Sequence, residues 1–150
     1  MQKNEPLLPD FLDFEVYPFQ EKEWINWCVG TNEKQTIIFI QSTDDTDELM
    51  AFLTKIIAAV KYDLKRDTLL CVLPIDEKLS MQTILKKHPA QKILIFGIEP
   101  KTIALHLQLP AYQVIEWNNL QLLQADSLSK INGQNKLKGA LWNALQQMFL

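Results

Sequence analysis

The chain has 150 residues, of which 47% are hydrophobic and 22% are charged, and this balance predicts a globular domain rather than a disordered chain. The net charge is −3 and Arg66 is the single arginine, which argues against tight direct binding of nucleic acid, because phosphate and base-edge contacts draw heavily on arginine. Only four glycines occur, so a glycine-rich loop that cradles phosphate is excluded, and with it the dinucleotide-binding and P-loop classes.

The first 22 residues predict an extended apolar arm. Three prolines, Pro6, Pro9 and Pro18, prevent a long helix there. The arm carries large apolar side chains that suit the anchors of a protein interface: Leu8, Phe11, Leu12, Phe14, Tyr17 and Phe19. The same side chains equally suit a cover over the chain's own sheet, and the sequence leaves both alternatives open.

Residues 23–150 predict a single α/β domain, which begins with an edge strand or a helical turn over 24–29. Strand-like runs over 36–40, 69–73, 92–96 and 112–116 alternate with helical patterns over 45–62, 77–87, a segment from Pro100 and 136–149. The pattern predicts an irregular stretch over residues 118–134. Because parallel strands need crossover connections, this alternation predicts a three-layer α/β/α fold around a mostly parallel four-stranded sheet.

Cysteine usage and the absence of targeting patterns indicate the compartment. Cys28 and Cys71 each lie in an apolar run, which is typical of buried thiols in a reducing environment. No signal-peptide pattern opens the chain, and no uninterrupted apolar run reaches the about 18 residues of a membrane span. We therefore expect a cytoplasmic protein that binds no membrane.

Ligands of parallel α/β sheets bind beyond the carboxyl ends of the strands, so the loops over 41–47, 74–78, 97–101 and 117–128 are the places to search for a site. Glu99 suits a base or a nucleobase contact, or simply negative charge ahead of a helix. Trp117 with Asn118 suits stacking and amide recognition of a base, or core packing. The crevice candidates are Gln41, Glu99, Trp117, Asn118 and Asp126.

The sequence predicts no metal and no cofactor. Asp44, Asp45 and Asp47 lack the glycine and the distant glutamate of a calcium loop, and two of the three fall where a helix start favours negative charge. His88 and His106 have no second histidine at ligand spacing, and no serine lies in a nucleophile elbow.

The C-terminal two-thirds of the chain resembles the uracil-DNA glycosylase-like α/β/α fold, most clearly in two segments. Residues 92–97, Lys-Ile-Leu-Ile-Phe-Gly, with the following segment are similar to its strand–glycine–helix unit, and residues 136–145 are similar to its helix with a Trp and a Leu. Active members carry a His-Pro-Ser segment, where this chain has Ala125-Asp126-Ser127. They also carry a glycine and a proline in the first loop, which residues 41–46 lack. The resemblance implies the fold without the glycosylase activity.

Within that fold, residues 35–148 resemble the psi subunit family of bacterial DNA polymerase III. The similarity lies in Ile37-Ile-Phe-Ile40, a second strand ending in Leu-Pro, Ser127-Leu128, and Ala140-Leu-Trp-Asn-Ala-Leu145. It implies a non-catalytic replisome adaptor whose N-terminal segment binds the clamp loader and whose globular part binds a chi-like subunit. The arm parallels that segment by position only. The alternative is a diverged glycosylase-like hydrolase, acting on nucleobases or nucleic acid, that uses Glu99 or Asp126 with Asn118.

Overall fold

A computed structural model describes residues 24–150. The apolar arm predicted over residues 1–22 lies outside the described residues, as do its proposed anchors Leu8, Phe11, Leu12, Phe14, Tyr17 and Phe19.

The described residues form an α/β structure around one mixed sheet. Its strands are β1 (Cys28–Val29), β2 (Thr36–Gln41), β3 (Thr68–Leu73), β4 (Lys92–Phe96), β5 (Val114–Trp117) and β6 (Leu120–Ala125), in the spatial order β1-β3-β2-β4-β6-β5. The helices are α1 (residues 24–27), α2 (Asp47–Ala59), α3 (Leu64–Asp67), α4 (Met81–Lys87), α5 (Leu128–Asn132) and α6 (Asn135–Phe149), with 3-10 turns at Ser42–Asp44 and Pro100–Ile103.

The sheet has six strands rather than the four predicted. The central strands β3, β2, β4 and β6 are parallel, and the edge strands β1 and β5 run antiparallel to their neighbours. The run predicted as the fourth parallel strand is the antiparallel edge strand β5. The actual fourth parallel strand, β6, lies in the stretch predicted as irregular.

A two-residue turn explains this difference. Asn118 and Asn119 both have positive φ, at 50° and 65°, and they connect β5 directly to β6. A turn with positive φ at both central residues matches the twist of a β-hairpin. The chain therefore reverses after Trp117 and pairs it with Leu120, instead of crossing over through a helix.

Both faces of the sheet are buried under helices. Successive side chains of a central strand point to opposite sides, so each strand contributes to the apolar core on both faces. Ile38, Ile40 and Phe96 pack with apolar residues of α2, α5 and α6. Ile37, Phe39 and their neighbours pack on the other face with Trp24 of α1 and with apolar residues of α4. Complete burial of one such side chain stabilises the fold by about 1.5–3 kcal/mol, which makes the double-sided core the main stabilising term.

The helices agree with the predicted pattern over 45–62 and 136–149, and differ after Gly97. The segment beginning at Pro100 is a single 3-10 turn that ends at Ala104, whose φ of 58° is left-handed. Gly139 lies inside α6, where a Cβ would meet nothing within 4 Å, so no close packing requires glycine there. Among the helices of residues 24–150, none has both the length and the apolar character needed to cross a bilayer.

Candidate functional site

A crevice lies beyond the carboxyl ends of the parallel strands. The chain passes from β2 to β3 on one side and then returns to β4 on the other, so the strand order reverses between β2 and β4. Ligands of open α/β sheets bind outside such a reversal. A cavity of about 670 Å³ occupies this place, and its lining comes from three of the four loops predicted to carry a site.

Gln41 and Gly97 join the two sides of the crevice. The Nε2 atom of Gln41 donates a hydrogen bond to the carbonyl oxygen of Gly97 at 2.7 Å. Gly97 has a φ of +70°, and a Cβ at this position would lie 2.8 Å from the Cα of Ser127, so the turn and the close approach both require glycine. The Gln41 amide nitrogen is thus engaged in holding β2 to the loop after β4.

The crevice combines an apolar floor with an acidic rim. Leu73 and Ile98 are buried at its base. Ile75, at the rim, leaves 66% of its surface exposed. The rim carries three carboxylates and one ammonium, from Asp76, Glu77, Glu99 and Lys78. This combination favours a ligand or protein segment that is apolar and basic.

Glu99 lines the crevice but lies in solvent. Its side chain is 73% exposed, and its Oε2 is 3.9 Å from the Nζ of Lys101. Water and salt screen a charge in this position. Glu99 also makes no side-chain bond to the 3-10 turn that follows it.

Asp126 lies at the same end of the sheet, after β6, and is held by two partners. The hydroxyl of Tyr112 donates to Asp126 Oδ2 at 2.7 Å, and the Nζ of Lys130 is 3.4 Å from Oδ1. Burial, together with this hydrogen bond, raises the pKa of Tyr112 to about 12. Tyr112 therefore keeps its proton at neutral pH and acts as a donor that fixes the carboxylate.

The structure does not bring Trp117 and Asn118 together with Gln41 and Glu99, because the two pairs of residues lie at opposite ends of the sheet. Asn118 borders the cavities near Ala90 and Lys92, where β4 begins. The six residues of β6 separate this turn from Asp126 by about 20 Å. The antiparallel direction of β5 causes this placement, because its carboxyl end meets the amino ends of the parallel strands.

Two polar groups that the sequence did not single out for this purpose cap helix α5. Asp44 is buried, and its Oδ2 accepts a hydrogen bond at 2.9 Å from the backbone N–H of Leu128. The hydroxyl of Ser127 accepts from the N–H of Lys130 at 3.3 Å. The helix predicted over 45–62 begins at Asp47 in the structure and is capped by Thr46, two residues after Asp44. Ser127, followed by Leu128 and Ile131 at a helical spacing of three, was the available signal for the α5 cap.

The other titratable side chains considered from the sequence, including His88 and His106, do not form a metal-binding cluster in the described residues. Within residues 24–150, no group of three or more His, Cys, Asp or Glu side chains is arranged to hold a metal ion. His88 makes an edge-to-face contact with Trp24, with ring centroids 6.2 Å apart, and His106 is exposed.

Comparison with protein-family models and with curated proteins finds no match to this chain.

Proposed function

We propose that this chain is a non-catalytic replisome adaptor on a uracil-DNA glycosylase-like fold, resembling the psi subunit of DNA polymerase III. The observation that carries the proposal is the role of Ser127. The resemblance aligns this residue with the serine of the His-Pro-Ser segment of active glycosylases. Here its hydroxyl accepts the N–H of Lys130 and caps α5, while its Cα packs against Gly97.

The strand order supports the fold part of the proposal. Four parallel strands in the order β3-β2-β4-β6, with helices on both faces, suit the family's layered α/β/α architecture. The antiparallel strands β1 and β5 extend this core at its two edges.

The state of the candidate polar groups at this end of the sheet supports a binding role over catalysis. The nitrogen of Gln41 is hydrogen-bonded to Gly97, the carboxylate of Glu99 is solvated, and the carboxylate of Asp126 is bonded to Tyr112 and Lys130. Hydrolysis needs a group aligned to activate water beside a bound substrate. These three side chains are engaged with the protein itself or with solvent.

The partner surfaces follow from the same proposal. The arm, through Phe11, Phe14 and the other apolar residues, docks on the clamp loader as a set of hydrophobic anchors. The globular domain then serves a second, chi-like partner. The acidic crevice with exposed Ile75 is one surface of suitable character for a basic protein segment.

Binding to purified clamp-loader subunits tests the proposal. The full chain should bind, deletion of residues 1–20 should abolish binding, and the deletion variant should retain the circular dichroism spectrum of the full chain. A matched control replaces the polar residues Gln2 and Lys3 with alanine, which should leave affinity unchanged. Absence of binding by the full chain, or equal binding after the deletion, contradicts the proposal.

The size of the crevice favours the alternative, a diverged hydrolase, because about 670 Å³ lies within the range of small-molecule sites. Incubation with uracil-containing single- and double-stranded DNA tests it. Cleavage that disappears in Glu99→Gln or Asp126→Asn would replace the adaptor with an enzyme. Asn118 is no longer a partner for these carboxylates, since it lies at the other end of the sheet.

A further inference from the structure

The two cysteines of the chain face each other across the edge of the sheet. Cys28 on β1 and Cys71 on β3 are directly opposed in an antiparallel pair. Such positions place Cα atoms about 4.5–5.5 Å apart, within the about 4.4–6.8 Å that a disulfide spans. Their Sγ atoms are 2.8 Å apart, and both side chains are thiols.

The two thiols differ in access to solvent. Cys71 is fully buried, whereas Cys28 is half-buried on the two-residue edge strand β1. Hydrogen bonding to Cys28, and burial, raise the pKa of the Cys71 thiol well above its usual value. A reagent from solution therefore reaches the sulfur of Cys28 first. Cys71 is then placed to attack the mixed disulfide that forms on Cys28.

We propose that Cys28 and Cys71 are a redox modification site that forms a reversible intramolecular disulfide by exchange with a small-molecule disulfide. The thiolate of Cys28 attacks one sulfur of the small disulfide, forms a mixed disulfide and releases one thiolate. The Cys71 sulfur then loses its proton, attacks Sγ of Cys28 and releases the second thiolate. Two protein thiols are oxidised by two electrons, and the small disulfide is reduced to two thiols.

The bond would attach the amino-terminal end of the domain to the sheet. β1 pairs with the rest of the sheet through Cys28 and Val29 only, and it directly follows α1. Trp24 of α1 is buried in the same apolar cluster as Cys71. Oxidation therefore fixes the point at which residues 1–23 join the domain, and it closes a loop between positions 43 residues apart.

Intact mass measurement of the native 150-residue chain in oxidised glutathione tests the proposal. Because the chain has only two cysteines, an intramolecular disulfide joins Cys28 to Cys71. We expect a monomer lighter by two hydrogens, about 2 Da, which returns to its starting mass in dithiothreitol. An unchanged mass, a glutathione adduct that persists, or a covalent dimer as the product would overturn the proposal.

Two single variants test the order of attack. Cys71→Ala should accumulate the mixed disulfide at Cys28, and Cys28→Ser should leave the buried Cys71 unmodified. Modification of Cys71 in Cys28→Ser at the rate seen for Cys28 would contradict this order. The melting temperature of the oxidised wild type should be about 5–15 °C above that of the reduced form. A melting temperature of the oxidised form below that of the reduced form would show that the disulfide does not stabilise the attachment of β1 to the sheet.

Discussion

Gly97 and Gly139 show how differently two glycines of one chain are used. Gly97 has left-handed φ, and a Cβ there would strike Ser127. Gly139 lies in the middle of α6, where a Cβ would meet open space. The first glycine is required by geometry, and the second only weakens its helix.

Substitution of each glycine by alanine should therefore act in opposite directions. Gly97→Ala should lower the free energy of unfolding by about 2–3 kcal/mol, because it adds backbone strain and a contact with Ser127. Gly139→Ala should raise it by about 0.5–1 kcal/mol. Urea denaturation measures both, and equal effects of the two substitutions would contradict the geometry described for Gly97.

At the same scale, Asp67 makes folding sensitive to acid. The pKa of this buried carboxyl is lowered by a hydrogen bond from Arg66, and also by one from the backbone N–H of Asp63. A carboxyl with a lowered folded pKa stabilises the protein above its unfolded pKa of about 3.9, and this stability is lost as pH falls through the folded pKa.

Asp67→Asn should remove that part of the pH dependence. Between about pH 4.5 and pH 2, the free energy of unfolding of the variant should fall less steeply than that of the wild type. Asp45→Asn, at an exposed carboxylate, is the control and should keep the wild-type slope. Parallel curves for the wild type and Asp67→Asn would show that the ion pair does not stabilise the fold.

At the scale of elements, the turn between β5 and β6 decides the topology of the carboxyl-terminal half. Asn118 and Asn119 occupy the two central positions with positive φ. Asn119→Gly should stabilise the protein by about 0.5–1 kcal/mol, since glycine is favoured at the second position of such a turn. Asn119→Val should destabilise it by about 1–2 kcal/mol, because β-branched residues resist positive φ. Thermal unfolding measures both changes in stability. If the two substitutions changed the stability in the same direction, the result would contradict a hairpin here.

This hairpin also marks the limit of what the sequence predicts. The runs at β2, β3 and β4 are uniformly apolar and bounded by polar turns, and α6 keeps a helical spacing of apolar residues, so their types follow from local pattern. β6 reads Leu-Gln-Leu-Leu-Gln-Ala and lacks β-branched residues, so its pattern does not indicate a strand.

The candidate site also has a part that the sequence predicts and a part that it does not. The loops after β2, β3 and β4 were predictable, because parallel strands bring their carboxyl ends to one edge. The bonds of Asp44 to Leu128 and of Tyr112 to Asp126 were not, because they join residues 84 and 14 positions apart and depend on how loops pack. The misplacement of Trp117 and Asn118 followed from the wrong direction assigned to a single strand.

At the scale of the whole molecule, the domain presents a closed, double-sided core and a crevice in which Gln41 is hydrogen-bonded to the protein while the charged rim lies in solvent. A binding protein needs a stable scaffold and an accessible apolar segment, whereas an enzyme needs reactive groups held in alignment. The proposed adaptor divides these tasks between the described domain and the apolar arm. Affinity should therefore depend on the arm far more than on the crevice carboxylates.

Equilibrium titration of the purified clamp-loader complex with the full chain tests this account most directly. We predict saturable binding that weakens by about 100-fold or more in the double variant Phe11→Ala, Phe14→Ala, and that is unchanged in Glu99→Gln, because buried aromatic anchors dominate interface energies. Failure of the full chain to bind, or retention of wild-type affinity by the double variant, would contradict the account.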